Sequence, residues 1–172
     1  MANNKTHQQF YDLFIDRLQD IYSAENQYVE KMPIFLETIS SEELRKQLTT
    51  HFKETKKQRD RLQKVFNELN ESPKMKVCEG MQGLLKECDE IVSASLPGVV
   101  KDAALISALQ KCEHYQIATY GALRTFAKHL ELTKAHNILQ EILEEEWNAD
   151  SKLTAIAEGG WFTTGINAKA AR

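Results

Sequence analysis

The sequence predicts an all-α protein that folds as a four-helix bundle. Only 7 glycines and 3 prolines occur in 172 residues, so few positions interrupt a helix. Apolar residues recur every three or four positions over four long stretches, which is the spacing of a buried helix face. A chain of this length is expected to form one domain over residues 1–172, with a loose C-terminal tail from about residue 160.

The charge and composition of the chain argue against several classes of protein. The formal net charge is −3, so no basic field is available for nucleic acid or for an anionic membrane surface. No apolar run reaches the ~20 residues that span a bilayer, and the N-terminal residues lack the apolar core of a signal peptide. The three cysteines lack the spacing of a zinc motif or a disulfide framework. We therefore expect a cytoplasmic protein.

The first helix is predicted from about residue 7 to about residue 38. Its inward stripe is apolar from Phe10 to Phe35 except for Glu25, the one charged residue on that face. Pro33 should kink or interrupt the last turns, because it lacks an N–H donor and its ring clashes with the preceding turn. Glu25 is therefore the first candidate for a buried charged group.

The second helix is predicted from about residue 41 to about residue 70, opened by a capping box of Ser40 and Glu43. Its inward stripe includes Leu48 and Leu62 but is polar between them. Three candidate site residues occupy the middle of that stripe: His51, Glu54 and Gln58. A buried polar side chain is costly without a partner, so these residues should pair, hydrogen-bond or bind a metal.

Residues 71–99 are predicted to connect the second and third long helices. Ser72 and Pro73 end the second helix, and a shorter amphipathic helix follows from about residue 78 to about residue 94. The segment SASLPGVV then forms the longest break in the chain. Roughly 29 residues can cross the length of a ~45 Å helix, because an extended residue reaches ~3.3 Å and a helical one ~1.5 Å. A bundle with one long crossover fits this arrangement.

The third long helix is predicted from about residue 100 to about residue 130. Its inward stripe runs from Leu105 to Leu123 and contains one carboxylate, that of Glu113. Gln116 follows three positions later on the same side of the helix. This helix therefore adds a carboxylate and an amide to the inward polar groups.

The fourth long helix is predicted to start near Thr133 and to stop at a Gly-Gly pair. Steps of three and four residues from Leu139 to Leu153 pass through Glu146, which occupies a position where a core residue is expected. Asp150 lies one turn further on nearly the same face. Each long helix thus carries one inward glutamate.

Four inward glutamates, one per helix, have a chemical interpretation. Dinuclear metal centres in four-helix bundles use a glutamate from each of two helices and a Glu-x-x-His pair from each of the other two. Lys57 stands three residues after Glu54 and Ala149 three after Glu146, so neither such pair is present. Hard oxygen donors with few nitrogens suit Fe or Mn. The predicted ligands are the four glutamates: Glu25, Glu54, Glu113 and Glu146. The candidates for further ligands are His51, Gln58, Gln116 and Asp150.

Five segments in this order, from about residue 10 to about residue 157, resemble the YciE/YciF-type stress-protein family of ferritin-like proteins: DLFIDRLQDIYSAENQ, HFKETKKQ, VCEGMQGLLKE, KDAALISALQKCEHYQIATYG and ILEEEWNADSKLTAIA. The resemblance implies a ferritin-like bundle, frequently dimeric and similar to rubrerythrin and bacterioferritin, with a dinuclear centre. The family positions that match are Glu25 in YSAE, His51 and Glu54 in HFKET, Glu113 in EHYQ and Glu146 in EEEWNAD. This chain has Gln116 where the family usually has a second glutamate, which removes one anionic ligand.

Two functions of different classes follow from these observations. The first is a metal-dependent oxidoreductase with two Fe or Mn ions per bundle, Glu54 or Glu113 bridging, and ferroxidase activity or removal of peroxide under stress. Oxygen or peroxide would be its small partner. The alternative is a non-catalytic structural or interaction module, homodimeric, with a degenerate or empty metal site. The four coincident glutamates favour the first function, whereas Gln116 and the missing Glu-x-x-His pairs favour the second.

Overall fold

The structure is a computed structural model that describes residues 2–74, 76–161 and 163–172, with side chains from residue 5 onward. The long elements within these ranges are all helices: α1 (Ala2–Thr38), α2 (Glu42–Glu68), α3 (Glu79–Ser93), α4 (Gly98–His129) and α5 (Thr133–Glu158). Three short elements end the chain: the strands β1 (Gly159–Gly160) and β2 (Thr163–Thr164) and the helix α6 (Ile166–Ala170). Among the described residues, no helix combines the length and the apolarity needed to cross a bilayer.

The predicted all-α bundle is confirmed. α1 packs against α2 and α4, and α5 packs against the same two helices, so the four long helices close a ring with α2 and α4 at opposite corners. The crossover between α2 and α4 contains α3, which packs on the outside against α1 and α4. The largest fully buried side chains include Phe14, Tyr28, Phe66 and Tyr120, which fill the space between the four long helices. The inward stripes of the sequence therefore meet along one central axis.

Two details at the ends of the first two helices differ from the prediction. α1 begins at Ala2 and runs through Pro33 to Thr38, so the proline does not end the helix. The N-cap of α2 is Ser41, not Ser40, and the Ser41 hydroxyl accepts a hydrogen bond from the backbone N–H of Leu44 at 3.4 Å. The sequence pattern predicts the cap one residue too early, at Ser40. In the structure Ser40 hydrogen-bonds to a different partner.

That partner is Asp102 on α4, a buried carboxylate that joins α4 to the start of α2. It accepts hydrogen bonds from the backbone N–H of Ser40 at 3.0 Å, the Ser40 hydroxyl at 2.6 Å and the backbone N–H of Ser41 at 2.8 Å. A Cβ atom on Gly98 would lie 2.9 Å from the Ser40 Cβ, so the close approach of α4 requires a glycine there. Asp102 therefore satisfies N–H groups at the beginning of α2 and fixes the position of that end of α2 relative to α4.

The residues after α5, which the sequence predicts to be a loose tail, include two short strands and a short helix. β1 and β2 pair in antiparallel fashion, and α6 packs against α4 and α5. Gly159 turns the chain with a φ of +80°, a conformation that favours glycine, and a Cβ atom there would lie 2.4 Å from the Gly165 nitrogen. Ile166 is buried as a result. A single apolar residue carries no helical periodicity, so the sequence pattern contains no signal for this burial.

Candidate metal centre

Each of the four long helices contributes a buried ionisable side chain to the middle of the bundle. Glu25 on α1, Glu113 on α4 and Glu146 on α5 are 0% exposed, and His51 on α2 is 1% exposed. One ligand atom from each of His51, Glu113 and Glu146 lies within 4.8 Å of the other two. These three residues form the His-Glu-Glu triad of the chain.

The distances within the triad leave space at its centre. His51 Nε2 is 3.1 Å from Glu113 Oε1 and 3.9 Å from Glu146 Oε2. Neither ring nitrogen of His51 is aligned for a hydrogen bond with any described residue. Ligand atoms that bind one ion at ~2.1 Å stand ~3 Å apart when their bonds are at right angles. The spacing of the triad is therefore close to that of three ligands of one metal ion.

Glu25 lies beside the triad and is held by two donors from α4. Gln116 Nε2 donates to Glu25 Oε1 at 2.9 Å, and the Tyr120 hydroxyl donates to the same oxygen at 2.5 Å. The other oxygen, Oε2, is buried and has no hydrogen-bond partner among the described residues. On the opposite side, the Tyr28 hydroxyl donates to Glu113 Oε1 at 2.9 Å. Two tyrosines thus orient two of the carboxylates.

Glu54 does not share the interior with the other three glutamates. Its side chain is 33% exposed, and its Oε2 lies 3.8 Å from His51 Nδ1, on the outer side of that ring. The inward stripe of α2 runs through His51, Thr55 and Gln58, whereas Glu54 lies on its flank. The prediction of four buried glutamates is therefore wrong at Glu54, because His51 fills the inward position of α2.

Two further candidates lie at the edges of the cluster. Gln58 is fully buried, and its Nε2 donates to Glu145 Oε2 at 3.0 Å. Asp150 is partly exposed at the seam between α4 and α5, where it accepts a hydrogen bond from Gln110 Nε2 at 3.0 Å and lies 3.5 Å from His114 Nδ1. The structure thus buries Gln58 with a partner on α5, and it gives Asp150 partners on α4.

The electrostatics of His51 and Glu113 are those of a buried ion pair. Burial disfavours the charged imidazole, but the nearby Glu113 carboxylate, with Glu54 and Glu146, raises the pKa of His51 well above its ordinary value. Burial also disfavours the Glu113 anion, yet the His51 charge and the hydrogen bonds around Glu113 lower the pKa of that carboxyl. Without a metal, the pair is therefore a protonated imidazole and an ionised carboxylate.

The other two carboxyl groups behave differently. Burial, with the charge of Glu113 as the next cause, raises the pKa of Glu146 well above its usual range. Burial also raises the pKa of Glu25 to about 7, although the hydrogen bonds from Tyr120 and Gln116 act in the opposite direction. Three carboxyl groups and one imidazole thus share a small buried volume. The single positive charge of the imidazolium does not offset three ionised carboxylates.

The residues present fit a divalent or trivalent metal ion. Buried polar atoms normally have a hydrogen-bond partner, and an unpartnered one costs free energy. In the described part of the chain, several buried ligand atoms of the cluster have none: Glu25 Oε2, Glu113 Oε2, Glu146 Oε1, Glu146 Oε2 and both ring nitrogens of His51. A cation would satisfy these atoms and offset the carboxylate charges. Carboxylates with one imidazole suit Fe or Mn.

Sequence analysis missed the roles of the residues that hold the carboxylates. Tyr28 and Tyr120 lie on the inward stripes of α1 and α4, so their burial was readable from helical spacing. Their hydroxyl groups donate to Glu113 and Glu25, which are on the neighbouring helix in each case. Only the positions of α1 and α4 relative to each other determine which carboxylate each tyrosine reaches.

Comparisons with known proteins agree with the fold and with the resemblance seen in the sequence. A family model described as "Domain of unknown function (DUF892)" matches residues 9–171. Protein YciF of Escherichia coli (strain K12) is 42% identical over 147 residues, which are 85% of this chain and 89% of YciF. The crystal structure of the E. coli stress protein YciF gives a TM-score of 0.82 at 41% identity, covering 84% of this chain and 92% of that one. YcfI from Rhodopseudomonas palustris gives 0.83 at 37% identity, covering 86% and 94%.

Proposed function

The chain belongs to the DUF892 family, and we propose that its function is to bind iron or manganese inside the bundle for redox chemistry with oxygen or peroxide. The observation that carries the proposal is the set of buried carboxylate oxygens of Glu25, Glu113 and Glu146 that have no hydrogen-bond partner among the described residues, beside the His51–Glu113 ion pair. A bundle core of this size gains stability from apolar contacts, so four ionisable groups at its centre require a reason. Metal binding supplies one.

The His-Glu-Glu triad would hold the first ion. Glu113 would bridge to a second ion, which Glu25 would bind through its unpartnered oxygen Oε2. Gln116 could provide an amide oxygen to the second ion, since its Oε1 is buried and has no partner among the described residues. The second ion would thus have fewer anionic ligands than the first, so we expect it to bind more weakly.

The bound ions would supply the change of oxidation state that reduction of oxygen or peroxide requires. The protein's own residues do the rest. Tyr28 and Tyr120 donate hydrogen bonds that orient the carboxylates of Glu113 and Glu25. Burial raises the pKa of both tyrosines well above the ordinary value, so they remain protonated donors. The apolar core around them excludes water from the centre.

Metal analysis of the purified protein tests the proposal. We expect one to two Fe or Mn ions per chain in protein expressed with added iron or manganese and purified without a chelator. Glu113→Gln, which removes the anion of the bridging ligand, should lower the metal content. Glu144→Gln changes an exposed glutamate on the same helix as Glu146 and serves as the control. Protein that contains neither metal after supplementation would contradict the proposal. Consumption of oxygen or peroxide by the loaded protein then tests the redox chemistry.

A second candidate function, a homodimeric structural or interaction module, is favoured by a different observation. Trp147 is 60% exposed on α5 and Trp161 is 100% exposed, and exposed tryptophans are characteristic of protein interfaces. YcfI, the R. palustris relative, has been suggested to be a structural protein. Light scattering tests this function by measuring the molar mass in solution. A folded Trp147→Glu variant with half the mass of the wild type supports the homodimeric module. An unchanged mass removes Trp147 from any interface.

A further inference from the structure

A groove of about 510 Å³ runs along the outer face of the bundle between α2 and α5. Its walls carry three acidic side chains, those of Glu54, Asp60 and Glu145. They also carry three basic side chains, those of Lys57, Arg61 and Lys64. The α2 residues recur at three- and four-residue intervals, so they follow one side of that helix. The groove therefore extends along α2 directly beside the cluster of buried ligands.

A set of polar contacts joins α2 to α5 beside this groove. Glu145 on α5 accepts hydrogen bonds at its Oε2 from Arg61 Nη2 and from Gln58 Nε2 of α2. Arg61 Nη1 also lies 3.6 Å from Glu141 Oε2. We call these contacts between Glu145, Arg61 and Gln58 the latch. Gln58 is the innermost member, fully buried, and its Oε1 has no hydrogen-bond partner among the described residues.

Glu54 connects the groove with the buried cluster. It lines the groove, and its Oε2 is 3.8 Å from His51 Nδ1, the ring that belongs to the triad. On the side of the cluster formed by α1 and α4, the side chains of Tyr28, Gln116 and Tyr120 are fully buried. The partly exposed Glu54 thus gives the triad a contact with solvent on the α2–α5 side.

We propose that the groove between α2 and α5 is the route by which a divalent cation enters and leaves the buried cluster, with Glu54 as its first ligand and the latch as its gate. This inference rests on the proposed function, since it requires that the cluster binds metal. The charges of the groove walls balance, so a cation is not held at the mouth. The buried carboxyl groups of the cluster bind it beyond Glu54, and they release their protons as it binds.

A gate has a kinetic signature that separates it from a ligand. A contact that is broken during both entrance and exit raises the barrier for both steps by the same amount. Removing it should therefore raise the association and dissociation rates by the same factor and leave Kd unchanged. Loss of a ligand instead raises Kd, mostly through faster dissociation.

Stopped-flow measurements with Co²⁺, whose absorption reports coordination, make the test. We expect Glu145→Ala to raise both rates by about tenfold or more, which is about 1.4 kcal/mol, because hydrogen bonds to a charged group no longer have to be broken. Kd should stay within about twofold of the wild type. Arg61→Ala removes the charged contact of the latch from the opposite helix and leaves the Gln58–Glu145 hydrogen bond. It should change both rates in the same direction, and the double variant should add little to Glu145→Ala.

Asp89→Ala provides a matched control, because it removes a charged contact, Asp89 with Lys31, from a different groove between α1 and α3. Its rates should equal those of the wild type. Unchanged rates in both latch variants, or a Kd that rises while the association rate stays constant, would overturn the inference while metal binding itself stands. A wild-type protein that binds no Co²⁺, Fe²⁺ or Mn²⁺ would remove the inference and the proposed function together.

Discussion

The imidazole of His51 on α2 reaches the carboxylate of Glu113 on α4 across the diagonal of the bundle, with Nε2 3.1 Å from Oε1. The two helices stand at opposite corners, so this contact passes through the centre of the fold. Each partner keeps the other charged, since the pKa of His51 is raised and that of Glu113 is lowered. Glu146 and Glu25 lie beside the pair, and burial raises the pKa of both carboxyl groups.

We expect the Glu146→Gln variant to be more stable than the wild type without metal and to bind metal more weakly. Burial raises the pKa of Glu146, so the wild type must either bury an unpaired charge or take up a proton at neutral pH. The amide avoids that cost, and we expect a gain of about 1–3 kcal/mol in the free energy of unfolding at pH 7.5 with EDTA. Urea denaturation measures the gain.

The control for this variant is Glu144→Gln, whose carboxylate is exposed and accepts a hydrogen bond from Gln140 at 2.7 Å. Its stability should change by less than about 0.5 kcal/mol. Metal titrations of both variants should show at least about a tenfold loss of affinity only for Glu146→Gln. A Glu146→Gln protein that is less stable without metal and binds metal normally would contradict the assignment of Glu146.

The stability of the metal-free protein should decrease as the pH rises from about 4.5 to about 7. The pKa of Glu25 is about 7 in the folded chain against an ordinary 4.5, so the folded state binds this proton more tightly than the unfolded state. The resulting stabilisation is complete below the lower value and lost above the higher one, and amounts to about 3 kcal/mol. The raised pKa of His51 acts in the same direction at higher pH.

Denaturation curves at several pH values between about 5 and 8, in EDTA, check this slope. Glu25→Gln should remove only part of it between pH 5 and 7, because the raised pKa of Glu146 gives a slope of the same sign. The lowered pKa of Glu113 gives a slope of the opposite sign, but only below its ordinary pKa of 4.5. Bound metal should reverse the trend, because its ligands must lose their protons. Equal stability of the metal-free wild type across this range would contradict the prediction.

We expect Gln116→Glu to increase the number of metal ions per chain and to destabilise the metal-free protein. Gln116 Nε2 donates to Glu25 Oε1 at 2.9 Å, so a carboxylate in its place would face a second carboxylate across that distance. A metal ion between the two would relieve the repulsion. Elemental analysis of loaded protein measures the ion count, and thermal denaturation in EDTA measures the loss of stability.

Gln110→Glu is a suitable control for this change. Gln110 lies on the same helix and also donates to a carboxylate, that of Asp150 at 3.0 Å, but at the partly exposed edge of α4 and α5. The control should leave the metal content unchanged. An increase in metal content for both variants would show that added negative charge alone, and not position 116, is responsible.

Asp102→Ala should destabilise the fold by about 2–4 kcal/mol with little effect on metal affinity. The substitution leaves the backbone N–H groups of Ser40 and Ser41 without the acceptor that α4 supplies. Asp89→Ala, which removes a partly exposed ion pair with Lys31, should cost less than about 1 kcal/mol. Urea denaturation of both variants tests the difference, and equal losses would show that Asp102 is not an anchor.

The helical spacing of the sequence was sufficient to predict the long helices, the crossover with its short helix and the burial of Glu25, Glu113 and Glu146. Apolar residues at intervals of three and four define which side of a helix faces the core, and these three glutamates lie near the middle of that side. Composition and spacing are properties of one helix. They therefore predict where the helix runs and which of its sides is buried without knowledge of the neighbouring helices.

Other features depend on how the helices are placed against each other, and only the tertiary structure decided them. Glu54 and His51 are both near the inward stripe of α2, and the position of α5 and α4 determines that the imidazole faces the centre. Asp102 is an ordinary helical aspartate in the sequence, and it becomes an anchor because α4 approaches Ser40 closely enough to accept its hydrogen bonds. Contacts between residues distant in sequence depend on the relative position of two helices, which periodicity within one helix does not contain.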